Sequence, residues 1–377
     1  MDELRMINFL DAFITNALSI IIPLLLVSRG LDVVQIGLIV SMSPIVFVVS
    51  RSIFAAISDQ VGVRRFFILN GAMNVVSLAV YLVASNPLLF SLGKMFEGVR
   101  NGAIWAVNRT AIFLSKGRKG AVVEMSTTQA IRTGAAAMGI VMAGLLLNSY
   151  SFDAVLVFFM LLGVVLFSIS FLVEGKRKSK IKMKEIFGQL DFRKRSELLK
   201  KTSLIMMPFS VATAVPLSLA FPLFLRDIGY SYWLIGLAIA LYYTISAVTT
   251  FLFMKMKWGK RATWLGGVLF LAGGILLPFL GGWWAIPLMV IMGVGDGVST
   301  PLWETLVFNS TRSSKDVSSD IALVHIPPNL AQAVCLITAG VLVKLWGYWL
   351  VFGLCGVSFV ISFYFSFELL RESRYRL

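Results

Sequence analysis

Ten ionisable side chains sit inside stretches that are otherwise apolar. The acids are Asp11, Glu97, Glu124, Asp296, Glu304 and Asp320; the bases are Lys94, Arg100, Arg132 and His325. Charges carried into a hydrocarbon-like interior are costly, so they pair, line a pathway or carry protons. Three chemistries are open to this set. A carboxylate away from water can hold a proton, because desolvation disfavours its charged form, and a cationic solute would then expel that proton. Alternatively, Arg100 and Arg132 can take an anionic solute while an acid carries the coupling proton. Thirdly, acids and bases can neutralise one another in a fixed network, which fits Glu97 with Lys94 or Arg100. Asp296 has no base within a turn of its own helix and is the first choice for a titrating group; Asp11 is next. His325 titrates near neutrality, although one His beside Pro327 and Pro328 also reads as a helix-bonding side chain. A multi-His metal site is excluded by a count of one His, and Cys335 and Cys355 offer no disulfide framework or metal spacing. No catalytic constellation emerges, so an enzyme is not expected, nor any cofactor beyond a proton gradient as driving force.

The elements that must position these groups are membrane helices. The 377 residues are 58% hydrophobic and 14% charged, against about 25% charged in soluble domains. Apolar runs long enough to cross a core of ~30 Å recur throughout. Twelve spans are expected: 6–28, 33–57, 66–85, 88–114, 120–147, 151–173, 202–225, 232–254, 262–281, 284–309, 318–343 and 347–369. They are numbered here as segments 1 to 12. Counting along them at ~1.5 Å per residue puts Glu97, Arg100, Arg132 and Asp296 near mid-membrane. Glu124 and Asp320 lie close to one surface and read as gate residues. Helical spacing groups Lys94, Glu97, Gly98 and Asn101 on one face, continued by Trp105 and Asn108. Asp296, Ser299, Thr300 and Trp303 form a second stripe; His325, Asn329 and Gln332 form a third.

The net charge of +15 is a topology signal. Most of the 34 Lys and Arg fall in alternate connections and in the stretch 175–201, which contains GKRKSKIKMKE and DFRKRSELLKK. Cytoplasmic loops of membrane proteins carry this excess. It places both termini in the cytoplasm, implies the plasma membrane and needs no nucleic-acid partner. The partners expected are the lipid bilayer, protons and a small-molecule substrate, with the protein acting as a monomer. Residues 175–201 read as a cytoplasmic linker whose cations are attracted to anionic headgroups.

The chain is also written twice. Pro23, Gly30, Ile36 and Gly37 recur as Pro222, Gly229, Ile235 and Gly236, 199 positions on. Glu97-Gly98-Val99 recurs as Asp296-Gly297-Val298 at the same offset. Glu124, Ala143 and Gly144 recur as Asp320, Ala339 and Gly340, 196 positions on. The expected organisation is therefore a six-helix bundle over 1–174, the linker 175–201 and a second six-helix bundle over 202–377. Duplicated helix bundles with a central site are how many secondary transporters are built.

Three local patterns add a family resemblance. Ala55-Ala56-Ile57-Ser58-Asp59-Gln60-Val61-Gly62-Val63-Arg64-Arg65 resembles the cytoplasmic motif GxxxD(R/K)xGR(R/K) of the major facilitator superfamily, matching at Asp59, Gly62, Arg64 and Arg65. Lys94 to Gly102 resembles the family pattern RxxQGxgxG, with Lys for Arg and Glu97 for Gln. Gly139 to Gly144 resembles the antiporter-associated GPxxGG without its Pro. The resemblance implies an all-α polytopic fold with two six-helix halves. It implies a central cavity lined by segments 1, 4, 7 and 10, and rocking alternating access. It implies a gate at Asp59, Gly62, Arg64 and Arg65, in which Asp59 accepts from a helix N-terminus across the interface of the halves. The expected activity is proton-coupled export of an amphipathic compound. Uptake of a metabolite or organic anion is the alternative, and a non-transporting membrane sensor a remote one.

Overall fold

The computed structural model describes residues 2–174, 192–255, 260–311 and 317–372, and among these it is helical with no strand. Segment 1 is Asp2–Ser28, segment 2 Val33–Val61, segment 3 Arg64–Val83 and segment 6 Phe152–Ser170. In the second half, segment 8 is Tyr232–Lys255, segment 9 Lys260–Leu280, segment 10 Ala285–Thr311 and segment 12 Tyr348–Glu372. Among the described residues, ten helical stretches are long and apolar enough to cross a membrane. The chain is a multi-pass membrane protein.

Three elements depart from simple rods. Segments 4 and 5, expected as separate spans, share one unbroken run of helical backbone, Pro87–Ser149. That run cannot be straight. Asn108 and Arg132 both bond Asn8, yet 24 residues of straight helix would hold them about 36 Å apart. The chain therefore doubles back between them, and segments 4 and 5 lie antiparallel as the sequence implied. Segment 7 begins earlier than expected. Ser196 caps Glu197–Val215, so the last five residues of the expected linker are helical. The helix then widens into a π turn over Pro216–Ala220 before Phe221–Asp227. Segment 11 is split at His325 into Val317–Val324 and Ile326–Trp346, just ahead of Pro327 and Pro328, which lack the amides to continue the first helix. Residues 175–191 of the linker lie outside the described residues.

Several repeat positions have visible structural duties. Gly30 and Gly229 end segments 1 and 7 at φ +81° and +88°, a conformation that disfavours a side chain. Gly37 and Gly236, with Gly340 and Gly144, make close backbone contacts between the halves. A Cβ at Gly37 would sit 2.5 Å from the Leu336 carbonyl oxygen and 3.4 Å from the Gly340 Cα. A Cβ at Gly236 would sit 2.9 Å from the Gly144 Cα. Segment 2 thus meets segment 11, and segment 5 meets segment 8, as two repeat-related crossings. Small residues let the backbones touch. Both crossings lie at the end of the bundle away from the Lys- and Arg-rich connections. There Lys344 Nζ also donates to Asp32 Oδ2 at 2.8 Å, tying the two halves together. That end is closed.

Candidate functional site

In the N-terminal half, the mid-membrane charges form one buried network. Segment 1 contributes Asn8 and Asp11, segment 3 Asn70, Asn74 and Tyr81, and the hairpin of segments 4 and 5 the rest. Lys94 Nζ donates to Glu97 Oε2 at 2.9 Å, and the Tyr81 hydroxyl donates to Glu97 Oε1. Arg100 Nη2 stands 4.0 Å from Glu97 Oε2, while its Nη1 donates to Asn74 Oδ1 at 2.9 Å. Asn101 Oδ1 accepts weakly from the same guanidinium at 3.4 Å. Asp11 is held from two sides, by Asn70 Nδ2 at 2.9 Å and Arg132 Nη1 at 3.0 Å. Arg132 also donates to Asn8 Oδ1 at 3.1 Å and lies 4.7 Å over the Trp105 ring, a cation–π placement. Asn8 and Asn108 exchange amide bonds at 2.9 and 2.8 Å.

The Lys94–Glu97 bond, three residues apart, runs along one face of segment 4. Lys94, Glu97 and Arg100 are buried and point into their own bundle, toward segment 3. Asn101 and Trp105 are half-buried. The Glu97 carboxylate is held by the Lys94 ammonium and the buried Tyr81 hydroxyl.

The equivalent acid in the other half has different company. Asp296 Oδ2 accepts from the Ser246 hydroxyl at 2.7 Å, and Tyr242 and Tyr243 lie beside it. Among the described residues no cation stands within ion-pair distance of it. Thr300 and Ser299 bond back to the Asp296 carbonyl, as helix-satisfied hydroxyls. Trp303 packs on Phe209 at 4.6 Å and on His325 at 5.7 Å. His325 Nδ1 bonds the Ile321 carbonyl at 2.7 Å, and Asn329 Nδ2 donates to the His325 carbonyl at 2.7 Å. The helix-bonding reading of His325 is the one seen; together these bonds knit the break in segment 11.

Near the basic end, the repeat-related acids are clasped alike. Arg5 makes a two-pronged contact with Glu124 at 2.8 and 2.9 Å. Arg195 stands 3.1 Å from Asp320. In each half, an arginine at the start of the first helix grips an acid at the start of the fifth. Of the motif after segment 2, Gly62 takes φ +87° and its amide bonds the Ser58 carbonyl. Arg64 donates to the Phe171 carbonyl at 2.7 Å, within its own half, and Arg65 is exposed. The Asp59 side chain lies outside the described residues, and with it the expected cross-interface contact.

Sequence reasoning passed over Asn8, Asn70, Asn74 and Tyr81. Asn70 and Asn74 stand one helical turn apart inside an apolar segment. Buried amides need partners as charges do, and that spacing was the available signal.

The sequence model of the Major Facilitator Superfamily matches residues 5–225 and 202–376, nearly the whole chain. The chain belongs to the Major Facilitator Superfamily. Solved structures of superfamily members share its fold. A point mutant of the nucleoside transporter NupG aligns at TM-score 0.78 and 11% identity, over 97% of this chain and 98% of that one. NupG itself aligns at 0.72 and 12%, over 99% of both chains. A D-xylose–proton symporter aligns at 0.78 and 12%, over 97% of both. No curated protein matches the sequence. As a superfamily member the protein is a transporter. At these identities the structural likeness speaks for the fold alone.

Proposed function

We propose that the protein takes up a small organic metabolite together with a proton, by alternating access between its two halves. Asp296 is the residue that takes the proton. One observation carries this: the repeat gives each half an acid in its fourth helix, and among the described residues Glu97 has a cation beside it while Asp296 has none. An ionised carboxylate away from water is expensive unless paired. Protonation removes that cost and lets the site cross between access states. Glu97 already has Lys94 and has less to gain from a proton.

Uptake is favoured over export. The export reading drew on a segment 5 pattern without its Pro, and a D-xylose–proton symporter is among the structural neighbours. Both termini face the cytoplasm of a plasma membrane, where 175–201 links the halves 1–174 and 202–377, and the protein works as a monomer. The end closed by the glycine crossings is then the external one, and the structure represents a state shut to the outside. Asp59, Gly62, Arg64 and Arg65, with the clasps at Glu124 and Asp320, form the cytoplasmic gate.

The test uses the purified protein in liposomes with a pH-sensitive dye inside. Sugars, nucleosides, organic anions and lipophilic cations are added in turn. Saturable acidification of the lumen by one class, lost in Asp296→Asn, supports symport. Alkalinisation by a lipophilic cation returns export to the lead. Saturable solute entry without proton movement defeats the role given to Asp296.

A further inference from the structure

The Arg132 guanidinium is only half used. Its Nη1 corner serves Asn8 and Asp11. Nε and Nη2 have no acceptor among the described residues. They are also not enclosed, unlike the sealed orphan atoms Asn70 Oδ1 and Thr128 Oγ1 nearby. Two parallel N–H groups therefore present a free edge to water-accessible space. The ring of Trp105 covers one face of the cation. Asp11 and Asn8 hold it from behind, so the free edge has a fixed aim.

The helices that carry Asp11 and Arg132 also touch the other half. Segment 1, which carries Asp11, touches the π turn and Phe221–Asp227 of segment 7, and segment 5, which carries Arg132, packs along segment 8. The surrounding charge has a sign. Among the described residues the N-terminal network holds three cations, Lys94, Arg100 and Arg132, against two carboxylates, Glu97 and Asp11. One positive charge is left unmatched in a low-dielectric interior, where such an excess is costly. A single negative charge on the solute balances it, whereas two would overshoot.

We infer that the solute is a small organic monocarboxylate, its two oxygens received by Nε and Nη2 of Arg132. A guanidinium fork matches a carboxylate with two parallel bonds, which an ammonium cannot reproduce. This inference rests on the proton-coupled reading for its energetics. With a proton on Asp296 and an anion on Arg132, the loaded carrier gains no net charge, so transport is electroneutral.

The experiment has a binding arm and a flux arm. In detergent, the wild-type protein is titrated with a panel of monocarboxylates, their primary amides, the matching phosphate esters and neutral sugars. Thermal shift and tryptophan fluorescence are read. The expected result is saturable binding of a monocarboxylate, at least tenfold weaker for its amide and for the phosphate ester. Arg132→Lys weakens carboxylate binding at least tenfold while keeping the contact charge for Asp11. In liposomes, carboxylate entry should carry protons and ignore an imposed potassium diffusion potential. Equal binding of acid and amide, preference for phosphate esters, or binding of neutral solutes alone overturns the inference without touching proton coupling. Selective carboxylate binding with no proton flux sustains it and defeats the coupling reading instead. No saturable shift with any monocarboxylate overturns it outright. If Arg132→Lys fails to fold, the acid-versus-amide comparison on the wild type still decides.

Discussion

Glu97 and Asp296 occupy the same place in the repeat, on segments 4 and 10, yet they live in opposite chemistries. Glu97 is locked by Lys94, Tyr81 and the nearby Arg100. Asp296 is met only by hydroxyls, with Ser246 at 2.7 Å. The repeat supplies two acids whose neighbours have diverged: cations and a phenol at Glu97, hydroxyls at Asp296. Tyr81 shows how. Its repeat-equivalent position in the second half is Leu280, which cannot donate a hydrogen bond.

The sharpest test of this contrast is the paired neutralisation of the two acids. Glu97→Gln leaves Lys94 buried without its carboxylate, and removing one partner of a buried pair costs about 3–5 kcal/mol. The melting temperature should fall by several degrees. Asp296→Asn orphans no cation, so the fold should hold within about 1 kcal/mol while proton-coupled uptake drops by about a hundredfold or more, the scale expected when an essential proton carrier is removed. The reverse pattern, with Asp296→Asn unfolding the protein and Glu97→Gln uncoupling it, would exchange the two roles.

A smaller effect is expected where the halves touch. Val at Gly236 or at Gly37 places carbon atoms inside the opposite backbone. Overpacking costs about 1–3 kcal/mol, here charged to the closed state alone. Cysteine reporters near the glycine crossings should become readily alkylated, and the two variants should behave alike because the crossings are repeat-related. A closed, unreactive Gly236→Val protein would show that the second crossing does not gate.

The clasps come next. Arg5→Gln removes the two-pronged contact with Glu124 and should lower stability modestly. Arg195→Gln should do the same to Asp320. Each should loosen its own half only, read by hydrogen exchange at segments 5 and 11 respectively.

The smallest effect concerns the exposed Lys344–Asp32 pair. The hydrogen bond from Lys344 holds the Asp32 carboxyl below its ordinary value, helped by the amide of Gln35. A depressed carboxylate stabilises above its unperturbed range and loses that contribution as pH falls through the lowered value. The link is therefore intact at neutral pH and lost only in acid. An exposed pair is worth about 0.2–1 kcal/mol before screening, so Lys344→Met should shift external closure by less than about fivefold. Salt should erase most of the difference.

Much of this molecule was legible before any coordinates. Apolar length and the positive-charge asymmetry determined a polytopic helical protein, and the two offsets of the repeat, 199 and 196, determined its two-fold plan. Both signals are properties of the chain read one residue at a time: hydrocarbon thickness sets the length of a span, and common ancestry sets the offsets. Gly30 and Gly229 were visible as a pair for the same reason. The tertiary structure alone decided who faces whom. Helical phase put Lys94 and Glu97 on one stripe, but it could not name Tyr81 and Asn74 of segment 3 as the partners of Glu97 and Arg100. Nor could spacing show that Asp11 on segment 1 and Arg132 on segment 5 share a bond while the guanidinium keeps an edge free. Partners of buried charges are chosen across helices tens of residues apart, because an unmatched charge in an apolar interior takes whichever polar atom packing brings within reach.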